Sequence, residues 1–551
     1  MGGILFLRRH WGAVAIFLLA ALLRLVGLGE LPAGLNQDEA SAGYDAFAIM
    51  THGMDRNGYA YPVHLVAWGS GQNALYSYLA IPFIALLDLS AFSFRLPAAL
   101  LGSAAILATY CLVLRFRSRR AALIAALLVA ISPWHIMMSR WGLEANILPT
   151  IVLFAVVLLS YAPHRVQALY GFCVLMALSL YAYGTAYLFV PIMMAGTGIF
   201  LLVYRPVPVT HTVFAYLTGA LVAVPIGLFI LVNLYELEPL RSSFGSIPRY
   251  TGTNRFTEVT VFSGGEKFAQ ILQNLKQAGR ILFIDFHDGS YYNSVDTYGY
   301  LYRFSLPFIV IGMVLIAREW WQQKNSLALA SILLWFLGAI AVCASLSVNF
   351  NRMNIVFYPL ILFAAIGIDS LFTQIKSKIP GSVVVATFAV NAVFFVHFYF
   401  TEYKSRIGES FFASFDDAIK LVEGVAPEGE PVYVTSNINM AYIAVLFHTR
   451  YDVREYLKTR DIPHMDTMFQ SVSSFGPYTF GDPRRASHHG HNFVVNNHEL
   501  GAFHPSRFIV RHFRYYSAVF SRRHYQEENG EIVLRTPQQS PVSDMAGLRR
   551  E

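Results

Sequence analysis

Charge is scarce in this chain. Only 14% of its 551 residues are Asp, Glu, Lys or Arg, where a soluble globular protein carries about a quarter. Hydrophobic residues make up 55%. That balance excludes an ordinary soluble domain and places the chain among integral membrane proteins. Cysteine is nearly absent: Cys111, Cys173 and Cys343 all lie in or beside apolar runs, which argues against a disulfide framework or a zinc site. Lysine does not occur before Lys267. No Gly-rich loop of the GKS/T kind is present, so soluble NTP chemistry has no support. The net charge of +7 would point to nucleic acid in a soluble protein. Here the basic residues cluster in short loops between apolar runs, which is a topology signal, and no nucleic-acid partner is expected.

What the chain does have is long apolar runs. A spanning helix needs about 20 mostly apolar residues. Runs fall at 11–28, 96–114, 121–138, 147–162, 167–182, 186–203, 212–235, 300–317, 326–348, 355–373 and 381–400. A shorter apolar piece, 74–87, reads as a re-entrant or interfacial helix. Arg8 and Arg9 precede the first run, which reads as an anchor rather than a cleaved signal. The positive-inside rule then puts every strongly basic short loop on one side: Arg115 to Arg120, His164 with Arg165, Arg205, Arg318 with Lys324, and Lys376 with Lys378. The large polar segments 29–95, 236–298 and 403–551 fall on the opposite, extracytoplasmic side. The expected architecture is a mostly α, polytopic protein. Its membrane part spans 1–402 with outer loops 29–95 and 236–298, followed by a small extracytoplasmic α/β domain over 403–551. Arginine-rich inner loops and no eukaryotic retention signal point to a bacterial inner membrane.

Chemistry is expected on the outer face. Asp38 and Glu39 are adjacent carboxylates just after the first run, where a carboxylate is costly to bury. A carboxylate there can deprotonate an acceptor hydroxyl, or can serve a helix N-terminus through its dipole. Arg140 and Glu144 are four apart, so they either pair on one helix face or serve a site. Arg352 either snorkels to the interface or grips a phosphate with its fork. Asp285, His287 and Asp288 form an acidic, aromatic loop that is either a solvated turn or a sugar or divalent-cation site. His488, His489 and His491 read as a polar surface loop, with metal binding the less favoured alternative.

Five stretches in order resemble one family. They are NQDEASAGYDAFAIMTHGMDRNGYAYPVHL (36–65), FSFRLPAALLGSAAI (92–106) after LYSYLAIPFIALL, SPWHIMMSRWGLEAN (132–146), LSLYAYGTAYLFVP (178–191) and NFNRMNIVFYPLI (349–361). Together they resemble the GT-C superfamily, in particular the relatives of protein O-mannosyltransferases and lipid A aminoarabinose transferases. The resemblance implies a GT-C bundle of about eleven transmembrane helices. It implies a polyprenyl-phosphate sugar donor, a lipid, protein or polysaccharide acceptor, and single displacement with inversion. It makes Asp38 the general base, or the group that orients the acceptor, with Glu39 in support, and puts Arg140, Glu144 and Arg352 around the donor cavity. A divalent cation is left open as a cofactor. There are departures. Relatives often carry a lysine and paired prolines where this chain reads Gly69-Ser70-Gly71-Gln72-Asn73, and many place an arginine near Tyr187. A lysine contact to phosphate is therefore absent, or replaced by Arg56 or Arg95.

Three rivals remain. A lipid-linked glycan polymerase or ligase shares the many helices and large outer loops. A transporter or flippase usually shows internal repeats and a mid-membrane site, and no repeat is seen. An assembly subunit with the fold but no catalysis differs only in activity.

Overall fold

The computed structural model describes residues 2–252, 260–261, 266–292, 294–295, 297–323, 326–465, 467, 469–486 and 491–535. Lys324, His488 and His489 lie outside the described residues. Each expected apolar run is helical. In chain order the first helices are α1 (Gly2–Leu25), α2 (Gln37–His52), α3 (Leu75–Leu87), α4 (Ala91–Leu114), α5 (Arg119–Ile131) and α6 (Pro133–Met138). Next come α7 (Glu144–Tyr161), α8 (Gln167–Ser179), α9 (Ala186–Tyr204), α10 (Val209–Leu234) and α11 (Lys267–Arg280). Then follow α12 (Leu306–Gln322), α13 (Leu327–Ser345), α14 (Phe350–Met353), α15 (Phe357–Gln374) and α16 (Ile379–Phe398). Among the described residues eight helical stretches are long and apolar enough to cross a membrane, and the apolar helices in α1, α3 and α8 are shorter. The chain is an integral membrane protein.

Local chemistry sets the breaks. The run expected over 121–138 is two helices: Ser132 is extended and Pro133 opens α6, a position where the missing N–H costs nothing. The run expected from 300 opens with a 3-10 turn over Arg303–Ser305 and becomes α-helical at Leu306, with Pro307 in the first turn where its missing N–H costs nothing. Helices α12 and α15 approach backbone to backbone. A Cβ on Gly367 would come within 2.1 Å of the Phe308 carbonyl oxygen, so only glycine permits this small-residue contact. The piece 74–87 is the 13-residue α3, too short to span at ~1.5 Å per residue.

Outside the bundle, two short strands, β1 (His64–Leu65) and β2 (Gln72–Asn73), form an antiparallel ribbon. A second ribbon pairs β3 (Leu240–Arg241) with β4 (Ser246–Ile247). It is tied to the first loop by Val63 donating to the Ser246 carbonyl at 3.0 Å. After α16 come α17 (Phe415–Val425), β5 (Val432–Thr435), α18 (Ala441–Thr449), α19 (Val453–Thr459), β6 (Ser474–Phe475), β7 (Tyr478–Gly481), β8 (Asn492–Asn496), β9 (Phe508–His512) and β10 (Tyr516–Ser521). They build a sheet ordered β6-β7-β5-β8-β10-β9. β7 and β8 lie parallel to β5 on either side, and the remaining pairs are antiparallel. Helix α18 packs on α2, with Phe447 against Gly43. One continuous apolar core therefore runs from the membrane helices into this sheet.

Candidate active site

The start of α2 is built by its own sequence. Asn36 caps the helix, accepting the Asp38 N–H at 2.9 Å. Glu39, three residues on, reaches back to the Asn36 N–H, completing a capping box. Glu39 does more than cap. Its Oε1 accepts Arg95 Nε at 2.7 Å and the Gly142 N–H at 2.9 Å, and its Oε2 accepts Arg95 Nη2 at 2.7 Å. Both side chains are fully buried. Arg95 spends its remaining N–H groups on the carbonyls of Leu28, Pro32 and Gly34. This pair joins α2, α4 and the turn before α7 at one point. Asp38, one residue earlier, is half-buried at the helix N-terminus.

Arg56 is likewise committed inside the protein. It pairs with Asp45 at 2.9 Å and donates to the Ser41 hydroxyl at 2.8 Å. Ser41 in turn donates to Gln72 Oε1 at 2.8 Å, and Gln72 Nε2 donates to the Asp38 carbonyl at 3.1 Å. Arg56 is thus linked to the Asp38 backbone carbonyl through this relay. Arg140 caps the end of α1, donating to the carbonyls of Leu23, Gly27 and Leu31 at 3.0–3.1 Å. Its guanidinium also lies over the Phe400 ring at 4.9 Å.

The β1–β2 ribbon has two faces, because successive strand residues point opposite ways. Leu65 and Gln72 are register partners. Leu65 clusters with Ile49 of α2, and Gln72 bonds α2 as above. The other register pair, His64 and Asn73, faces a cavity of about 450 Å³. Glu144 at the start of α7, Arg352 on α14, Tyr187 and Tyr250 also line it. Its far wall is apolar, with Phe229, Ile230 and Leu234 of α10, and Ile230, Leu231 and Leu234 on one face of this part of α10 are exposed. The cavity therefore joins a polar, charged floor to a wall that continues onto a lipid-facing helix.

Two side chains in this cavity carry no charge at neutral pH. Burial lowers the His64 pKa to about 4, opposed only weakly by its bond to the Leu65 carbonyl. The ring stacks on Phe229, centroids 4.3 Å apart. Burial, then the neighbouring Tyr187 and Glu144, push the Tyr250 hydroxyl well up. Arg352 Nη1 donates to the Ser347 carbonyl at 2.8 Å and to its hydroxyl, and its N–H is capped by Asn349. Sequence reasoning singled out Glu144 and Arg352 but not His64, Asn73, Tyr187 or Tyr250. The local signals of those four are an ordinary loop histidine, an ordinary loop asparagine and two of many tyrosines.

The acidic loop of α11 sits beside this region. Asp285 pairs with Arg280 at 3.3 Å. His287 Nδ1 accepts the Gly289 N–H. Asp288 accepts the N–H groups of Ser290 and Phe350, which anchors the loop against α14. The His491 ring lies against that of His524, centroids 3.8 Å apart and planes tilted by 55°. Among the described residues no three His, Cys, Asp or Glu side chains gather so as to hold a metal ion.

Comparison with known proteins agrees with this architecture. Residues 73–231, from β2 into α10, match the family described as dolichyl-phosphate-mannose-protein mannosyltransferase. No curated protein sequence matches significantly. ArnT from Cupriavidus metallidurans in the apo state superposes with a TM-score of 0.53 at 15% identity, covering 93% of this chain and 98% of that one. The same protein bound to undecaprenyl phosphate gives 0.53 at 14% identity, with the same coverage. The Archaeoglobus fulgidus oligosaccharyltransferase in complex with Zn and sulfate gives 0.50 at 14% identity, covering 87% of this chain and 68% of that one. The chain thus has the GT-C fold, and over residues 73–231 it matches the protein mannosyltransferase family.

Proposed function

We propose that this protein is a glycosyltransferase that moves a sugar from a polyprenyl-phosphate donor to an acceptor hydroxyl on the extracytoplasmic side of a bacterial inner membrane. The observation that carries this reading is the 450 Å³ cavity, in which Arg352 and Glu144 share one floor while α10 supplies an apolar wall. A phosphosugar headgroup fits the floor, and its polyprenyl tail follows α10 into lipid. The family match over residues 73–231 and the ArnT structure bound to undecaprenyl phosphate support the same donor class. Residues 1–402 are read as the catalytic membrane unit, and 403–551 as an outer domain.

Asp38 is the proposed general base. It takes the proton of the acceptor hydroxyl while the acceptor oxygen bonds to the anomeric carbon. The bond from that carbon to the phosphate oxygen breaks, and polyprenyl phosphate leaves with the electron pair. Attack from the face opposite the leaving group inverts the anomeric centre. Arg352 neutralises the charge that grows on the departing phosphate, an electrostatic contribution realised most fully in the transition state. Glu39, saturated by Arg95, Gly142 and Asn36, is a positioning residue that fixes the helix carrying Asp38.

The test is label transfer by purified protein from a panel of radiolabelled polyprenyl-phosphate sugars to a membrane extract, with and without chelator. Wild type is expected to use at least one donor. Asp38→Asn is expected to lose about a hundredfold or more, the scale of a general base. Transfer by the variant at the wild-type rate removes Asp38 from the role. No transfer from any donor overturns the reading.

A further inference from the structure

A second, larger cavity lies in the outer domain. It measures about 640 Å³, inside the ~300–1,000 Å³ range of small-ligand sites. Its position follows from the sheet. β5 leads through α18 and α19 to β7 on one side, and the chain then returns to place β8 on the other. The segment Ser436 to Met440 leaves the carboxyl end of β5 at this reversal, and there the cavity opens. Open α/β sheets bind ligands at such switch points.

The lining has a definite chemistry. Asn437, Asn439, Ser471 and Ser473 offer amides and hydroxyls, and Phe412 and Tyr442 offer ring faces. Among the described residues lining it none is charged. Amides and hydroxyls both donate and accept, which matches the paired role of a sugar hydroxyl. Aromatic faces suit the C–H side of a pyranose ring. A phosphorylated or carboxylated ligand finds no countercharge here.

The walls of this cavity are fastened on both sides of Asp38. Phe412 follows Phe411, whose carbonyl accepts the Leu35 N–H at 2.7 Å. Gly34 makes this approach possible: its φ is 88°, and a Cβ there would lie 2.1 Å from the Phe411 oxygen. Tyr442 lies beside the Arg56 guanidinium, which bonds Ser41. Leu35 and Ser41 bracket Asp38 in sequence. On the third side Ser471 follows Gln470, whose N–H donates to the Trp68 carbonyl at 2.9 Å and whose side chain packs on Gly69. Gly71, two residues further on, lines the donor cavity.

We propose that the 640 Å³ cavity is an acceptor site for a neutral glycan, which it presents to the helix start carrying Asp38. This rests on the transferase reading above, and it names the acceptor class.

Binding is measured by isothermal titration on full-length Asp38→Asn protein in detergent, so that no turnover intervenes. The probes are neutral tetrasaccharides of glucose, mannose and N-acetylglucosamine, an anionic tetrasaccharide and a Ser/Thr-bearing peptide. At least one neutral tetrasaccharide is expected to bind. Ser471→Trp, at an exposed position, is expected to weaken it by about tenfold or more, readily resolved as a shift in Kd. The joint change Asn437→Ala with Asn439→Ala is expected to act in the same direction, with the melting temperature of each variant unchanged. Absence of neutral binding, binding insensitive to both variants, or preference for the anionic probe or the peptide overturns the proposal. The transfer assay separates the two readings: transfer without glycan binding sinks only the acceptor site, and glycan binding without transfer sinks the enzyme and with it the acceptor role, leaving a glycan-binding site.

Discussion

The charged residues near the outer face fall into two regions that behave in opposite ways. Around α2, Glu39 with Arg95 and Asp45 with Arg56 are buried pairs whose bonds go to each other and to the backbone. Across the β1–β2 ribbon, Glu144 and Arg352 are half-buried and line an open cavity. The lesson is that charge beside a membrane serves two purposes. A pair saturated by internal donors and acceptors holds backbone in place. A charge that lines a cavity, as Arg352 does while bonded to Ser347, faces the space a ligand would fill.

That contrast can be broken most forcefully at Arg95. Arg95→Met leaves the Glu39 carboxylate buried without its partner, which should cost about 3–5 kcal/mol and lower the melting temperature in detergent sharply. The double change Glu39→Met with Arg95→Met should recover only part of this, because the Gly142 and Asn36 N–H groups then lose their acceptor. A stable Arg95→Met protein with a raised donor KM would move Arg95 into the second group.

Arg352 is the matching probe on the cavity side. Arg352→Gln should leave the fold intact and lower kcat/KM for the donor by about 1.5–3 kcal/mol, the worth of a charged hydrogen bond. Arg352→Lys should restore part of it, since a point charge replaces the fork. Equal melting temperatures for these variants and wild type would sharpen the division, and collapse of the fold would erase it.

His64 offers a smaller, pH-dependent effect. Its pKa is depressed from 6.5 to about 4, so the folded protein holds the neutral ring. The stability this provides is complete above pH 6.5 and is lost as pH falls toward 4. By pH 5.5 the loss reaches about 1.4 kcal/mol. The stability of wild type relative to His64→Phe should therefore fall as the pH drops from 7.5 to 5.5, and an unchanged difference would show that the ring is not held neutral. Smallest of all should be Asp285→Asn, which removes a largely exposed ion pair with Arg280 worth about 0.5 kcal/mol or less. A loss of cation-dependent transfer in that variant would instead bring the α11 loop into the site.

Much was legible before any fold was known. The spanning helices follow from runs of apolar residues, because a membrane helix satisfies its own backbone and needs no partner to be identified. The Asn36–Glu39 cap and the break at Pro133 are equally local. Asp38, Glu144 and Arg352 stood out because charge is rare here and each lies at the edge of an apolar run. What could not be read was pairing. Arg95 meets Glu39 across 56 residues, and Arg140 caps α1 across more than a hundred. Nothing in the spacing of Arg140 and Glu144 says that the arginine turns to the end of α1 while the glutamate lines a cavity.

The sequence by itself therefore determined the membrane-embedded bundle, the start of α2 and a short roster of charged residues, since each depends on neighbours within a few turns. Only the tertiary structure decided which charges are spent on the scaffold. It alone assembled His64, Asn73, Tyr187 and Tyr250 with Arg352, the first two held on strands of two residues each that carry almost no local signal. It also tied the walls of the outer-domain cavity to the loops that flank α2, through Phe411 with Leu35 and Gln470 with Trp68, because those contacts exist only once α18 has packed on α2.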